Sequence, residues 1–117
     1  MGKVYYGQVG RLKRECIEEY KFLHTTDVHT EKWAQVLATI ADCNLRNYNI
    51  FIEDDVVFAF FEYVGEDYEA DMKKMEQCPV TQEWWTHTKP CFTKYKESST
   101  EPFYNDMEQI FLFSGEK

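Results

Sequence analysis

Tyr20 and His24 stand four residues apart, the spacing that stacks two side chains on one face of a helix and sets a hydroxyl beside an imidazole. Histidine both gives and takes protons near neutral pH, so the pair suits general acid–base work. Trp84 and Trp85 are adjacent, and neighbours on a helix point about 100° apart, so both rings cannot fill one spot in a core. One can be buried while the other lines a groove. A flat indole packs on the C–H patches of a sugar ring, and its N–H reaches a hydroxyl. Tyr48, in Asn47-Tyr48-Asn49 at the start of an alternating strand, can offer a phenol to a pocket between sheet and helices. Each of these side chains also has a purely structural reading: a partly buried histidine held by a neighbour, a core tyrosine, or tryptophans packed in a core or an interface. His29 and His87 read as surface or loop histidines.

Other chemistries lack their residues. The four cysteines, Cys16, Cys43, Cys78 and Cys91, include no CxxC pair, and with three histidines they show no zinc-ligand spacing. Phosphate-loop, GxSxG and dinucleotide fingerprints are missing. No cofactor is demanded.

The elements that must position these residues follow from periodicity. The opening residues Met1 to Tyr6 already read as strand, and Val4 to Leu12 is β-rich. From Glu15 the pattern turns helical, with Cys16, Tyr20, Leu23 and His24 on one face. Thr25 to Thr30 carries turn chemistry, with Thr30 or Asp27 as a cap for a helix from Glu31 to Asp42, in which Trp33, Val36, Leu37 and Ile40 recur at helical spacing. Asn44 is its stop. Leu45 to Glu53 alternates, Asp54-Asp55 turns, and Val56 to Tyr63 returns as a strand apolar on both faces. A helix from Asp67 ends at Pro79. Thr81 to Thr88 forms a short helix, Lys94 to Tyr104 is polar loop, and Glu108 to Phe113 reads as a last strand, again apolar on both faces. The order β, α, α, β, β, α, α, β gives an α+β domain over residues 1–117, with a ferredoxin-like split β-α-β plan and a four-stranded antiparallel sheet. Helices cover one face of such a sheet only. A second copy of the chain is the simplest cover for the other, so a homodimer is expected.

Composition agrees with a small neutral ligand. The formal charge is −8, spread along the chain, which disfavours nucleic acid and anionic membrane surfaces. Aromatic residues make up 17% and gather in the strands and around the Trp pair, a first hint of a stacking surface. No secretory leader or membrane-length apolar run is seen, and a reduced, soluble cytoplasmic protein is expected.

Taken in order, Arg11-Leu12-Lys13, Glu19-Tyr20-Lys21-Phe22-Leu23-His24, Arg46-Asn47-Tyr48-Asn49-Ile50-Phe51, Glu83-Trp84-Trp85 and Glu108-Gln109-Ile110-Phe111 resemble the L-rhamnose mutarotase family over almost the whole chain. The resemblance implies a dimeric α+β barrel and an isomerase of carbohydrate metabolism that interconverts the α and β pyranose anomers of L-rhamnose or a related deoxy sugar without a cofactor. It gives His24 the role of proton donor, and Tyr20, Tyr48, Trp84 and Trp85 the binding of a small neutral monosaccharide. The chain departs from the family between Thr25 and Lys32, where Thr-Thr-Asp-Val-His-Thr-Glu-Lys replaces a short Trp-Pro-Glu-like step. That departure makes His29 a rival for the proton-transfer position. Two other readings stay open: a dimeric barrel oxygenase or haem-handling protein, and a sugar-binding module without turnover.

Overall fold

In the computed structural model, which describes residues 3–115, strand β1 (Val4–Leu12) leads through a 3-10 turn into helix α1 (Ile17–Thr25). Helix α2 (Ala34–Asp42), the hairpin β2 (Leu45–Glu53) and β3 (Val56–Tyr63), and helices α3 (Tyr68–Glu76) and α4 (Pro79–Thr88) follow. Two short strands, β4 (Phe92–Thr93) and β5 (Asn105–Met107), complete it. The expected strand character of Met1 and Gly2 lies outside the described residues.

Local chemistry explains the boundaries. Asn44 takes φ 70° just past α2 and stops it, since asparagine tolerates the left-handed conformation. Asp67 accepts the Ala70 N–H at 3.1 Å and caps α3. Pro79, expected as a terminator, is also the first residue of α4, where its missing N–H costs nothing. Neither Thr30 nor Asp27 makes a side-chain cap. Asp27 instead accepts the indole N–H of Trp33 at 2.9 Å, the partner that a tryptophan buried to 1% exposure requires.

The sheet is antiparallel with strand order β2-β3-β1-β4, the split β-α-β arrangement, and β5 pairs with β1 beside β4. Its fourth position is where the structure corrects the sequence reading. Glu108 to Phe113 is not a strand of this sheet; two short strands from the neighbouring segments take the place beside β1. The segment leaves the ladder after Met107 and carries Ile110, Phe111, Leu112 and Phe113 outward, from 54% to 89% exposed. Four large apolar side chains pointing outward satisfy the hydrophobic pattern of a strand without its pairing, because hydrophobicity alone does not say which chain supplies the partner.

The core forms between the sheet and the helices in three adjoining groups, around Leu12, Tyr20 and Phe92, around Trp33 and Trp84, and around Leu45, Phe61 and Met75. β1 passes closely beneath the first group at Gly10, where a Cβ would sit 2.8 Å from the Phe92 ring. On β3, Val57, Ala59, Phe61 and Tyr63 are buried under the helices, while Phe58 is exposed on the far face. There Phe51 and Phe58 lie 6.3 Å apart, and Tyr5 stacks with Phe60 at 6.1 Å. The helices leave this second face uncovered, as expected from its apolar residues.

Candidate functional site

A cleft of about 560 Å³ opens between the helix-covered face of the sheet and the helices, with His24, Tyr48, Trp84 and Trp85 on its walls. Its remaining lining is mostly apolar, including Val36, Ile40, Ile50, Phe61 and Met75, which favours an uncharged ligand.

His24 comes from the last turn of α1. Its Nδ1 lies 2.8 Å from the carbonyl oxygen of Tyr20, and a carbonyl only accepts, so Nδ1 carries the proton and donates it. Nε2 is left as the lone-pair nitrogen of the neutral ring. The ring packs on Tyr20 at 4.2 Å and meets Trp84 edge-on at 5.5 Å. Burial pulls its pKa below the ordinary histidine value, partly opposed by the Tyr20 carbonyl, so the resting ring is neutral at pH 7.

Tyr20, which the resemblance assigns to sugar binding, is not among the residues that line the cleft. It is 4% exposed, behind His24, and its hydroxyl lies 3.0 Å from that of Tyr104. Burial pushes both phenols above their ordinary pKa. Tyr104 stands in the segment read as polar loop. The only sequence signal for it is an aromatic pair, Phe103-Tyr104, ending that loop.

Tyr48 owes its position to a bulge. Pairing slips between Arg46 and Asn49, so Asn47 and Tyr48 together face the β3 stretch around Phe61, and Asn47 takes φ 52°. The extra residue resets the alternation, so that Leu45 before the bulge and Tyr48, Ile50 and Ile52 after it share the helix side. The Tyr48 ring lies 5.2 Å from Phe61, and desolvation pushes its phenol above the ordinary value. It is protonated at neutral pH.

The Trp pair divides as the helical angle requires. Trp84 is buried, 5.0 Å from Trp33, and Trp85 is half-buried with the Lys89 ammonium 4.2 Å from its ring centre. His29 also reaches the cleft wall, close enough to His24 to disfavour its charging, whereas His87 is exposed and packs edge-on to Trp33 at 5.6 Å. Sequence reasoning missed Gln8, a polar residue on the inward face of β1, whose Nε2 donates to Asp106 at 2.8 Å beside the cleft. A polar side chain between Tyr6 and Gly10 on an inward-facing alternation was the available signal.

Comparisons place this arrangement among known proteins. A family model described as L-rhamnose mutarotase matches residues 5–113. A relative named L-rhamnose mutarotase from Oceanobacillus iheyensis is 28% identical over 83 residues, covering 71% of this chain and 77% of its own. Another of that name, from Listeria monocytogenes, is 27% identical over 97 residues, covering 83% and 86%. Among solved structures, an L-rhamnose mutarotase from Formosa agariphila superposes with a TM-score of 0.68 at 17% identity, over 95% of this chain and 99% of its own. Tetracenomycin F2 cyclase from Streptomyces glaucescens, a polyketide cyclase, superposes with a TM-score of 0.61 at 15% identity, over 94% and 98%. At those identities the structures speak for the fold alone.

Proposed function

The chain belongs to the L-rhamnose mutarotase family, a family of isomerases, and from that premise we propose that it interconverts the α and β pyranose anomers of L-rhamnose or a related deoxy sugar in the cleft around His24. Opening a pyranose needs a proton taken from the anomeric hydroxyl and one delivered to the ring oxygen. Rotation about the C1–C2 bond follows, and the ring closes on the other face of the aldehyde. The observation that carries the reading is the Nδ1–H bond of His24 to the Tyr20 carbonyl. It leaves Nε2 free to take the proton from one sugar oxygen while the protonated phenol of Tyr48 serves the other. On closure the imidazolium returns its proton to the carbonyl oxygen and Tyr48 takes back its own from the hydroxyl that re-forms the ring, which makes the donor role assigned by resemblance one half of a shuttle. Trp85 offers a ring face to the sugar, and Trp84 holds the His24 ring in place.

We read the protein further as a homodimer. The uncovered sheet face with Phe51 and Phe58, and the outward Ile110 to Phe113, are both exposed apolar surfaces of one chain. Two copies bury both.

Saturation-transfer NMR on the anomeric protons of L-rhamnose tests the activity. Exchange is expected to be accelerated by the protein and to fall about 10²–10⁴-fold in His24→Ala, the range typical of a lost acid–base group. His29→Ala is expected to keep most of it. No acceleration with L-rhamnose, L-fucose or related aldoses would overturn the reading, and loss in His29→Ala with retention in His24→Ala would move the shuttle to His29.

A further inference from the structure

We propose that Cys16, Glu19 and Cys91 form a binding site for a thiophilic divalent cation of the Zn²⁺ class, apart from the sugar cleft. The two sulfurs and a Glu19 carboxylate oxygen all lie within 4.8 Å of one another. Tetrahedral ligation with metal–sulfur bonds of about 2.3 Å and a metal–oxygen bond of about 2.1 Å brings ligand atoms to roughly 3.4–3.8 Å from each other. A small adjustment of exposed Glu19 and half-buried Cys16 is enough to reach that geometry.

The backbone, and not chance side-chain placement, brings the three together. Cys16 and Glu19 are three residues apart across the start of α1, which puts them on one face. Cys91 is fixed against them because the Lys13 N–H donates to its carbonyl at 2.8 Å, extending the ladder of β1 with β4. Two thiolates and one carboxylate select zinc-like cations over magnesium or calcium, which take oxygen ligands. A disulfide between the sulfurs would leave the carboxylate without a role; a cation uses all three groups. Glu19 lies on the solvent side, so water can fill the fourth position. Binding exchanges two thiol protons for the cation and releases them to solvent. None of the three residues lines the cleft. The ion would pin the start of α1 to the chain entering β4, on which Tyr20 packs through Phe92 at 5.5 Å.

The test is a titration of the reduced, metal-free full chain with Co²⁺, followed by thiolate-to-cobalt absorption. One equivalent is expected to bind and to raise the melting temperature. Glu19→Gln, at an exposed position, is expected to weaken binding at least tenfold, and Cys16→Ser to abolish the absorption. Cys78→Ser is the control, because Cys78 has the thiol drawn down to about 7, first by the hydrogen bond from Thr39, and is the competing ligand. Absence of the absorption overturns the site, as does binding that survives Cys16→Ser, binding that disappears in Cys78→Ser, or a Cys16–Cys91 disulfide forming in place of cation binding. All of these readouts are independent of sugar turnover.

Discussion

Tyr104→Phe removes one oxygen atom and keeps a ring that meets Phe92 edge-on at 5.2 Å. The lost oxygen is the partner of the Tyr20 hydroxyl at 3.0 Å. Tyr20 is 4% exposed, so bulk water has little access to replace that partner, and the hydroxyl is left buried and unpaired. The expected loss is about 1–3 kcal/mol, the desolvation cost of an orphaned group. Tyr20→Phe strands the Tyr104 hydroxyl instead, at a smaller cost because Tyr104 is only half-buried. Removing both oxygens leaves no orphan, and the double variant is expected near the stability of the original chain. The single losses therefore sum to more than the double loss, with a coupling of about 0.5–3 kcal/mol. Urea unfolding of the three variants measures it, provided the denaturant slope stays constant. Additive losses would refute the pairing and leave the Tyr20 hydroxyl free to face the cleft.

Trp84→Ala is expected to cost about 3–5 kcal/mol, as for a buried tryptophan, whereas Trp85→Ala, half-buried against the core, should cost less and raise KM in the anomer-exchange assay. Asn47→Gly is expected to keep stability and activity, while Asn47→Val meets the left-handed φ and loses about 1–2 kcal/mol, with weaker sugar binding as Tyr48 shifts. Because burial lowers the pKa of His24 in the fold, the unfolded chain binds the proton more readily; stability rises with pH through the window just below about 6.5, and His24→Asn flattens that rise. Turnover by neutral His24 should climb over the same window and level off. A rate that falls as pH is raised from about 5 to about 7 contradicts the shuttle.

Strong periodicity made most of the scaffold legible. β1, β2 and β3 have the bounds read from their β-rich, alternating and continuously apolar runs, and Asn44 and the Asp54-Asp55 turn stand where the chain must stop or reverse. The helix expected from Glu31 begins as a 3-10 turn, Glu31–Trp33, because Trp33 is drawn to Asp27 before the α-helix starts. β4 and β5, two and three residues long, carry too little pattern to be read. At the site, helical spacing correctly paired Tyr20 with His24 and aimed both inward, but gave no sign of what holds the Tyr20 hydroxyl. That depends on Tyr104, 84 residues away, a contact with no local trace. The Tyr48 bulge was equally silent, since pairing register belongs to two strands and sequence shows one at a time.

The outward segment from Ile110 to Phe113 bears on dilution. In a homodimer, the surface that this segment and the Phe51–Phe58 face withhold from water is withheld only while a partner is present. Folding free energy then contains a mass-action contribution, and the melting temperature climbs with protomer concentration. Assays run at nanomolar enzyme would sample a different population from those run at micromolar, so an apparent drop in specific activity on dilution would report lost subunits, with the chemistry of His24 itself unchanged.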